Sequence, residues 1–163
     1  MQKADRLFQL ACEIVSTQSD FQRVRGPGEG DAHTLGFMRA LRQAVEREIG
    51  PGTHEQRICG ETSFKVDFYF RDESTIVEVA LGLPNPNTEF EKDILKAIIA
   101  QDLGYPVRRL LLISRPGAAA KCSQPGRMAV RKLVEQKHGL TVDVTDLPGE
   151  PRVRVRRRRA ATS

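Results

Sequence analysis

Residues Ser63–Leu81 read SFKVDFYF-RDES-TIVEVAL, two strand-like runs around the polar tetrad Arg71–Asp72–Glu73–Ser74. β-Branched and aromatic residues fill both arms and turn-formers lie between them, which predicts a β-hairpin. A turn centred between Asp72 and Glu73 sets Phe70 opposite Thr75, Phe68 opposite Val77 and Asp67 opposite Glu78. Side chains alternate along a strand. One face of the ribbon then carries Phe64, Val66, Phe68 and Phe70 against Leu81, Val79, Val77 and Thr75. The other carries Lys65, Asp67 and Tyr69 against Ala80, Glu78 and Ile76.

That second face sets two carboxylates side by side. Cβ atoms directly opposite each other lie roughly 4.5–5.5 Å apart, and like charges there destabilise the pair. Two carboxylates so placed share a proton or bind a cation. A hard divalent ion such as Mg²⁺ suits them, because it takes oxygen ligands and needs few carboxylates besides water and phosphate. Alternatively the ribbon is an exposed edge, Asp67 and Glu78 are solvated, and Lys65 pairs with one of them. The register allows both.

At 163 residues, with 39% apolar and 29% charged residues, the chain has the size and balance of one domain with an ordinary core. No apolar run approaches the roughly 20 residues that span a bilayer, so no membrane association is expected. The N-terminal MQKADRLFQLACEIVS carries acids and no continuous apolar segment, unlike a secretory signal. Cys12, Cys59 and Cys122 are widely spaced and outside any CxxC, which predicts reduced thiols and a cytoplasmic location. His33, His54 and His138 lack zinc-ligand spacing.

The net charge of +5 is unevenly spread. Arg152, Arg154, Arg156, Arg157, Arg158 and Arg159 supply six positive charges, and removing six from +5 leaves −1 for the rest. The expected organisation is therefore one domain over residues 1–150 and a basic, disordered tail over 151–163. Such a tail collects phosphate contacts without sequence preference and in a salt-sensitive way, or simply solubilises the end.

Along the chain, residues 3–16 predict an amphipathic helix with Leu7, Leu10, Ala11 and Ile14 on one stripe. Ser16 to Thr34 reads as a long polar loop, in which Arg23 and Arg25 are candidates for meeting a phosphate backbone. A second helix is expected from about Leu35 to Ile49, stopped by Gly50–Pro51–Gly52, with Glu46 and Glu48 in its last turns. His54 to Cys59 is a short strand candidate. After the hairpin, Thr88-x-x-Glu91 has the form of a capping box. The helix it opens should reach about Leu103, with Phe90, Ile94, Ala97, Ile98 and Gln101 on one side and Lys92 and Lys96 on another. VRRLLLIS then reads as a buried strand, Pro116 to Gly126 as a connector, and a helix to about His138 precedes a last strand over Leu140 to Asp146. The class is α/β, a mixed central β-sheet flanked by helices.

The α-β-β-β-α-β order from roughly Leu35 to Ser114, with Asp67 on the second strand and Glu78-Val79-Ala80 on the third, resembles the PD-(D/E)XK, or restriction-endonuclease-like, nucleases. A C-terminal α-β unit is extra. The resemblance implies hydrolysis of DNA phosphodiesters with Mg²⁺ (or Mn²⁺). It implies Asp67, Glu78 and the Val79 backbone carbonyl as metal ligands, with Glu46 or Glu48 as a further ligand, and a homodimer where both strands are cut. The family's third-strand motif ends in lysine, and this chain has Ala80 there. The hairpin register sets Lys65 across from Ala80, so Lys65 is the expected catalytic lysine, with Lys92 and Lys96 as alternatives. A catalytically inactive nuclease-like fold, serving as a nucleic-acid-binding or protein-interaction module, is the other reading.

Overall fold

The hairpin forms in the expected register, with Phe68 opposite Val77, Tyr69 opposite Ile76 and Phe70 opposite Thr75. In the computed structural model, which describes residues 1–18, 21, 26–85 and 88–150 (backbone alone for 26–31), its arms are β2 (Val66–Phe70) and β3 (Thr75–Val79). A 3₁₀ turn over Arg71–Glu73 joins them, and Ser74 closes it in the left-handed region at φ 49°. The tetrad is polar and short enough to reverse the chain there, with the Ser74 amide donating to the Arg71 carbonyl at 3.1 Å.

β1 (His54–Gln56) pairs antiparallel with β2, while β4 (Arg109–Ser114) and β5 (Thr141–Asp146) extend the sheet in parallel beyond β3. The order is β1-β2-β3-β4-β5. Parallel neighbours need crossovers long enough to carry a helix. α3 (Glu89–Asp102) links β3 to β4, and α4 (Ala118–Cys122) with α5 (Pro125–His138) links β4 to β5. α1 (Lys3–Thr17) and α2 (Gly26–Glu48) precede the sheet.

Helices cover both faces of the sheet, and β1 and β4 pair with its outer sides, so the ribbon is not an exposed edge. One core joins α1 and α2 to Phe68, Phe70, Val77, Leu111 and Ile113. The other joins α3, α4 and α5 to Tyr69, Ile76, Leu110, Leu112 and Val142. Phe64 and Val66 fall in the second core rather than with Phe68. Phe64 precedes the strand and Val66 is its first residue, where strict alternation does not yet hold.

Three expectations need correcting. α2 begins at Gly26, inside the stretch read as loop. Pro27 lies in its first turn, where a helix has no use for the amide that proline lacks. The capping box does not form: Thr88 makes no side-chain cap, and the Glu89 carboxylate instead accepts the Gly82 amide at 3.0 Å. The connector after β4 contains α4, whose start is held by Asp146 accepting the Gly117 and Ala119 amides at 2.9 Å each. Arg23, Arg25 and the basic tail lie outside the described residues. All three cysteines are free thiols, and among the described residues no helix is long and apolar enough to cross a membrane.

The hairpin turn also holds the first helix. Gln2 offers α1 no side-chain cap, and Glu73 accepts the Lys3 amide and, at 3.1 Å, the Ala4 amide. Lys3 reaches Asp72 at 2.6 Å on the surface. Glu73→Ala should cost about 1–2 kcal/mol in chemical denaturation, the range for losing a helix cap. Asp72→Ala, which removes only an exposed ion pair, should shift the transition less.

Candidate active site

Asp67 and Glu78 come together as the register requires, and they do so by replacing backbone pairing. Asp67 Oδ2 accepts the Val79 amide at 2.8 Å, and Glu78 Oε2 accepts the Asp67 amide at 3.3 Å. The described ladder between β2 and β3 ends at Phe68–Val77. An amide and carbonyl of one strand residue leave on the same edge, so the Val79 carbonyl heads into the same gap.

Glu78 projects to the α3 face and is only 2% exposed, whereas Asp67 is half-buried. A carboxylate buried that deeply needs a partner. It is Lys96, whose Nζ lies 3.0 Å from Glu78 Oε1 and 2.9 Å from Asp93 Oδ1. Asp93 and Lys96 are 3% and 8% exposed. They stand one turn apart on α3, on the side that also buries Phe90, Ala97 and Ala100. The Cys59 thiol donates to the Lys96 carbonyl at 3.5 Å from below the helix.

Lys96 therefore does not lie on a separate polar face with Lys92, as expected; Lys92 alone is exposed there. Lys65, the preferred lysine, is exposed, and among the described residues it makes no ion pair. Ala80, in the place of the motif lysine, is 1% exposed and packed in the core beneath α3, its carbonyl accepting the Ser114 hydroxyl at 2.6 Å. The ammonium comes from the helix above instead of from the strand. Glu46 and Glu48 end α2, across the sheet from this site. Glu46 lies 3.4 Å from His54 Nδ1, and Glu48 accepts Arg6 Nε at 3.1 Å. Asp93 is the one site residue that the sequence reading does not pick out; its signal is the i, i+3 Asp–Lys pair flanking an apolar stripe.

Two carboxylates, Glu78 and Asp93, share one ammonium, and the third, Asp67, lies close enough to act on both. Burial, then the charges of Asp67 and Asp93, push Glu78 well above the ordinary glutamate range against the pull of Lys96. Burial also raises Asp93. Burial alone would lower Lys96, but Glu78 and Asp93 hold it above its usual value, so it stays charged. The excess negative charge favours a proton or a cation. The donors facing the gap are Asp67, Glu78 and the Val79 carbonyl, all oxygens, which fits Mg²⁺. Among the described residues no group of three or more His, Cys, Asp or Glu side chains converges as a metal cage. An ion here would take two carboxylates and complete its shell with water and phosphate.

No protein-family model matches the chain, and no curated protein or solved structure matches it.

Lys96→Ala leaves buried carboxylates without a cation and should cost about 3–5 kcal/mol in denaturation, while the Lys96→Met/Glu78→Gln/Asp93→Asn triple variant, which removes both buried carboxylates with the ammonium, should recover most of that. The fold raises the pKa of Glu78, so the native state holds that proton more tightly than the unfolded chain. This contribution is full below about pH 4.3, the unperturbed value, and fades as pH rises through the raised native value. Stability measured against pH should show that decline in the wild type and lack it in Glu78→Gln.

Proposed function

We propose that the protein is a metal-dependent phosphodiesterase acting on DNA, of the restriction-endonuclease-like kind. One juxtaposition carries the reading: a buried lysine from the helix after the third strand meets the third-strand glutamate, beside the second-strand aspartate. The surrounding order α2-β1-β2-β3-α3-β4 supports it, since it repeats the α-β-β-β-α-β arrangement of that class. Lys96 takes the role expected of Lys65, because Lys96 reaches Glu78 and Lys65 points to solvent.

Asp67, Glu78 and the Val79 carbonyl would hold Mg²⁺ (or Mn²⁺). When bound, the ion supplies charge stabilisation at a scissile phosphate and lowers the pKa of a bound water. Half-buried Asp67 leaves the gap open to solvent while Glu78 forms its floor. Lys96, fixed between Glu78 and Asp93, presents a preorganised positive charge that orients water or phosphate and needs no rearrangement as negative charge develops. Asp93 positions that ammonium. The proton favoured at Glu78 must leave when a cation arrives, so metal affinity rises with pH. A DNA-binding module without chemistry is the second reading, favoured by one observation: both Glu78 oxygens already accept hydrogen bonds within the protein.

Mg²⁺ or Mn²⁺ should raise the thermal midpoint of the wild type, and Asp67→Asn should abolish that rise; no rise with either ion sinks the catalytic reading. Lys96→Gln should lower metal-dependent DNA cleavage about a hundredfold or more, the range for removing a preorganised charge-stabilising group. Lys65→Ala should leave cleavage near wild type, and the reverse result would return the role to Lys65.

A further inference from the structure

The β1 edge of the sheet carries a pocket that the candidate active site does not use. Leu35, Arg39, Arg42 and Glu46 recur along α2 at steps of four, three and four residues, which sets them on one side of the helix. With Met38 and His54 of β1 they line a pocket of about 310 Å³, near the lower end of the range for small-molecule sites. α2 packs on the sheet face opposite α3, so this pocket stands across the sheet from Glu78 and Lys96.

The pocket wall is incomplete as it stands. Arg42 Nε, His54 Nδ1 and the adjoining Thr53 Oγ1 are buried, and none has a hydrogen-bond partner among the described residues. His54 Nδ1 lies 3.4 Å from Glu46 Oε1 but is not aligned to bond it. Native structures leave few buried polar atoms unpaired, so three in one place call for a group that completes them. The backbone is strained there too. Glu55, inside β1, has φ 48°, in the left-handed region that a glutamate rarely adopts, and Arg42 Nη2 holds its carboxylate at 2.9 Å. Strain of this kind gathers at ligand sites.

The lining changes character along the helix. Leu35 and Met38 supply an apolar end, with Leu35 65% exposed. Arg39 comes next; it is exposed and makes no ion pair among the described residues. Arg42 follows it, and Glu46 sets a carboxylate one turn further on. A simple anion would meet the Glu46 carboxylate, and a simple cation would meet two guanidiniums. A small molecule bearing both charges on an apolar body matches the whole lining. A peptide strand fits less well. The Gln56 side chain already donates to the Gly52 and His54 carbonyls at 2.8 and 3.0 Å, which blunts the free edge of β1.

We infer that this pocket binds a free amino acid with an apolar side chain. Its carboxylate lies on Arg39 and Arg42, its ammonium on Glu46, and its side chain against Leu35 and Met38. Guanidinium–carboxylate bonds are charge-assisted and fix the orientation of the head group, while the apolar end selects the side chain. No residue of the Asp67–Glu78–Lys96 site takes part, so the inference stands whether or not the protein cleaves DNA.

The test is calorimetric titration of the full chain with L-leucine, L-methionine and L-phenylalanine. At least one should bind with a Kd of about 1 mM or below. For the tightest of them, the counterpart without its ammonium (isocaproate for leucine) and the counterpart without its carboxylate (isoamylamine for leucine) should each bind roughly tenfold more weakly or worse. Arg39→Ala should weaken the amino acid by about tenfold or more without weakening the amine. Glu46→Gln should weaken the amino acid similarly without weakening the carboxylate counterpart. Both residues are exposed, so the ligand-free thermal midpoints should stay at wild type. Absence of binding by all three amino acids up to about 10 mM overturns the inference. So does equal binding of the amino acid and either counterpart, or wild-type affinity in either variant.

Discussion

The buried pair between Glu78 and Lys96 constrains the molecule more than any other contact. It joins the middle of the sheet to α3, and it does so with charges that cannot be left alone in a core. Apolar packing between helix and sheet tolerates small slides, but a carboxylate 2% exposed does not tolerate the removal of its ammonium. With Glu78 fixed, Asp67 is held across the strand gap, Asp93 must share the same ammonium, and Ala80 can remain small beneath the helix. Replacing such a cluster by well-packed apolar residues would commonly be as stable or more so.

The sheet divides the molecule electrically as well as sterically. The α1–α2 side uses its charges in surface pairs, Arg6 with Glu13 and Glu48, Arg42 with Glu55, that neutralise one another locally. The other side keeps an acidic centre under α3, with the basic residues of α5 next to it. A polyanion meeting this face finds attraction along α5 and repulsion at the carboxylates, and a divalent ion between the carboxylates would relieve that repulsion.

Much of this is legible in the sequence. The hairpin register follows from alternation plus a turn-forming tetrad, two local signals that agree, and alternation fails only at Phe64 and Val66, which lie before the pairing of β2 with β3. The pairing of Asp67 with Glu78 comes with the register. The lysine does not. Reading α3 by its apolar residues defines the stripe by Phe90, Ile94 and Ala97 and sets Lys96 aside as polar, although Asp93 and Lys96 flank that stripe with opposite signs. A charge that is buried because another charge is buried opposite it leaves no hydropathic trace. The start of α2 escapes for a different reason: glycine and proline mark loops by composition, yet proline is at home in a first turn.

The cap that Glu73 places on α1 has a temporal side. The helix and its cap are 70 residues apart in sequence, although they touch in space. During synthesis α1 emerges long before the hairpin turn exists, and its first amides must wait in water until the turn arrives. A helix of 15 residues is marginal alone, and its buried stripe of Ala4, Leu7, Leu10 and Ala11 has no sheet to cover until the same hairpin forms. The N-terminal helix is therefore made first and completed late, and the turn at residues 71–74 both reverses the chain and closes the beginning of the fold.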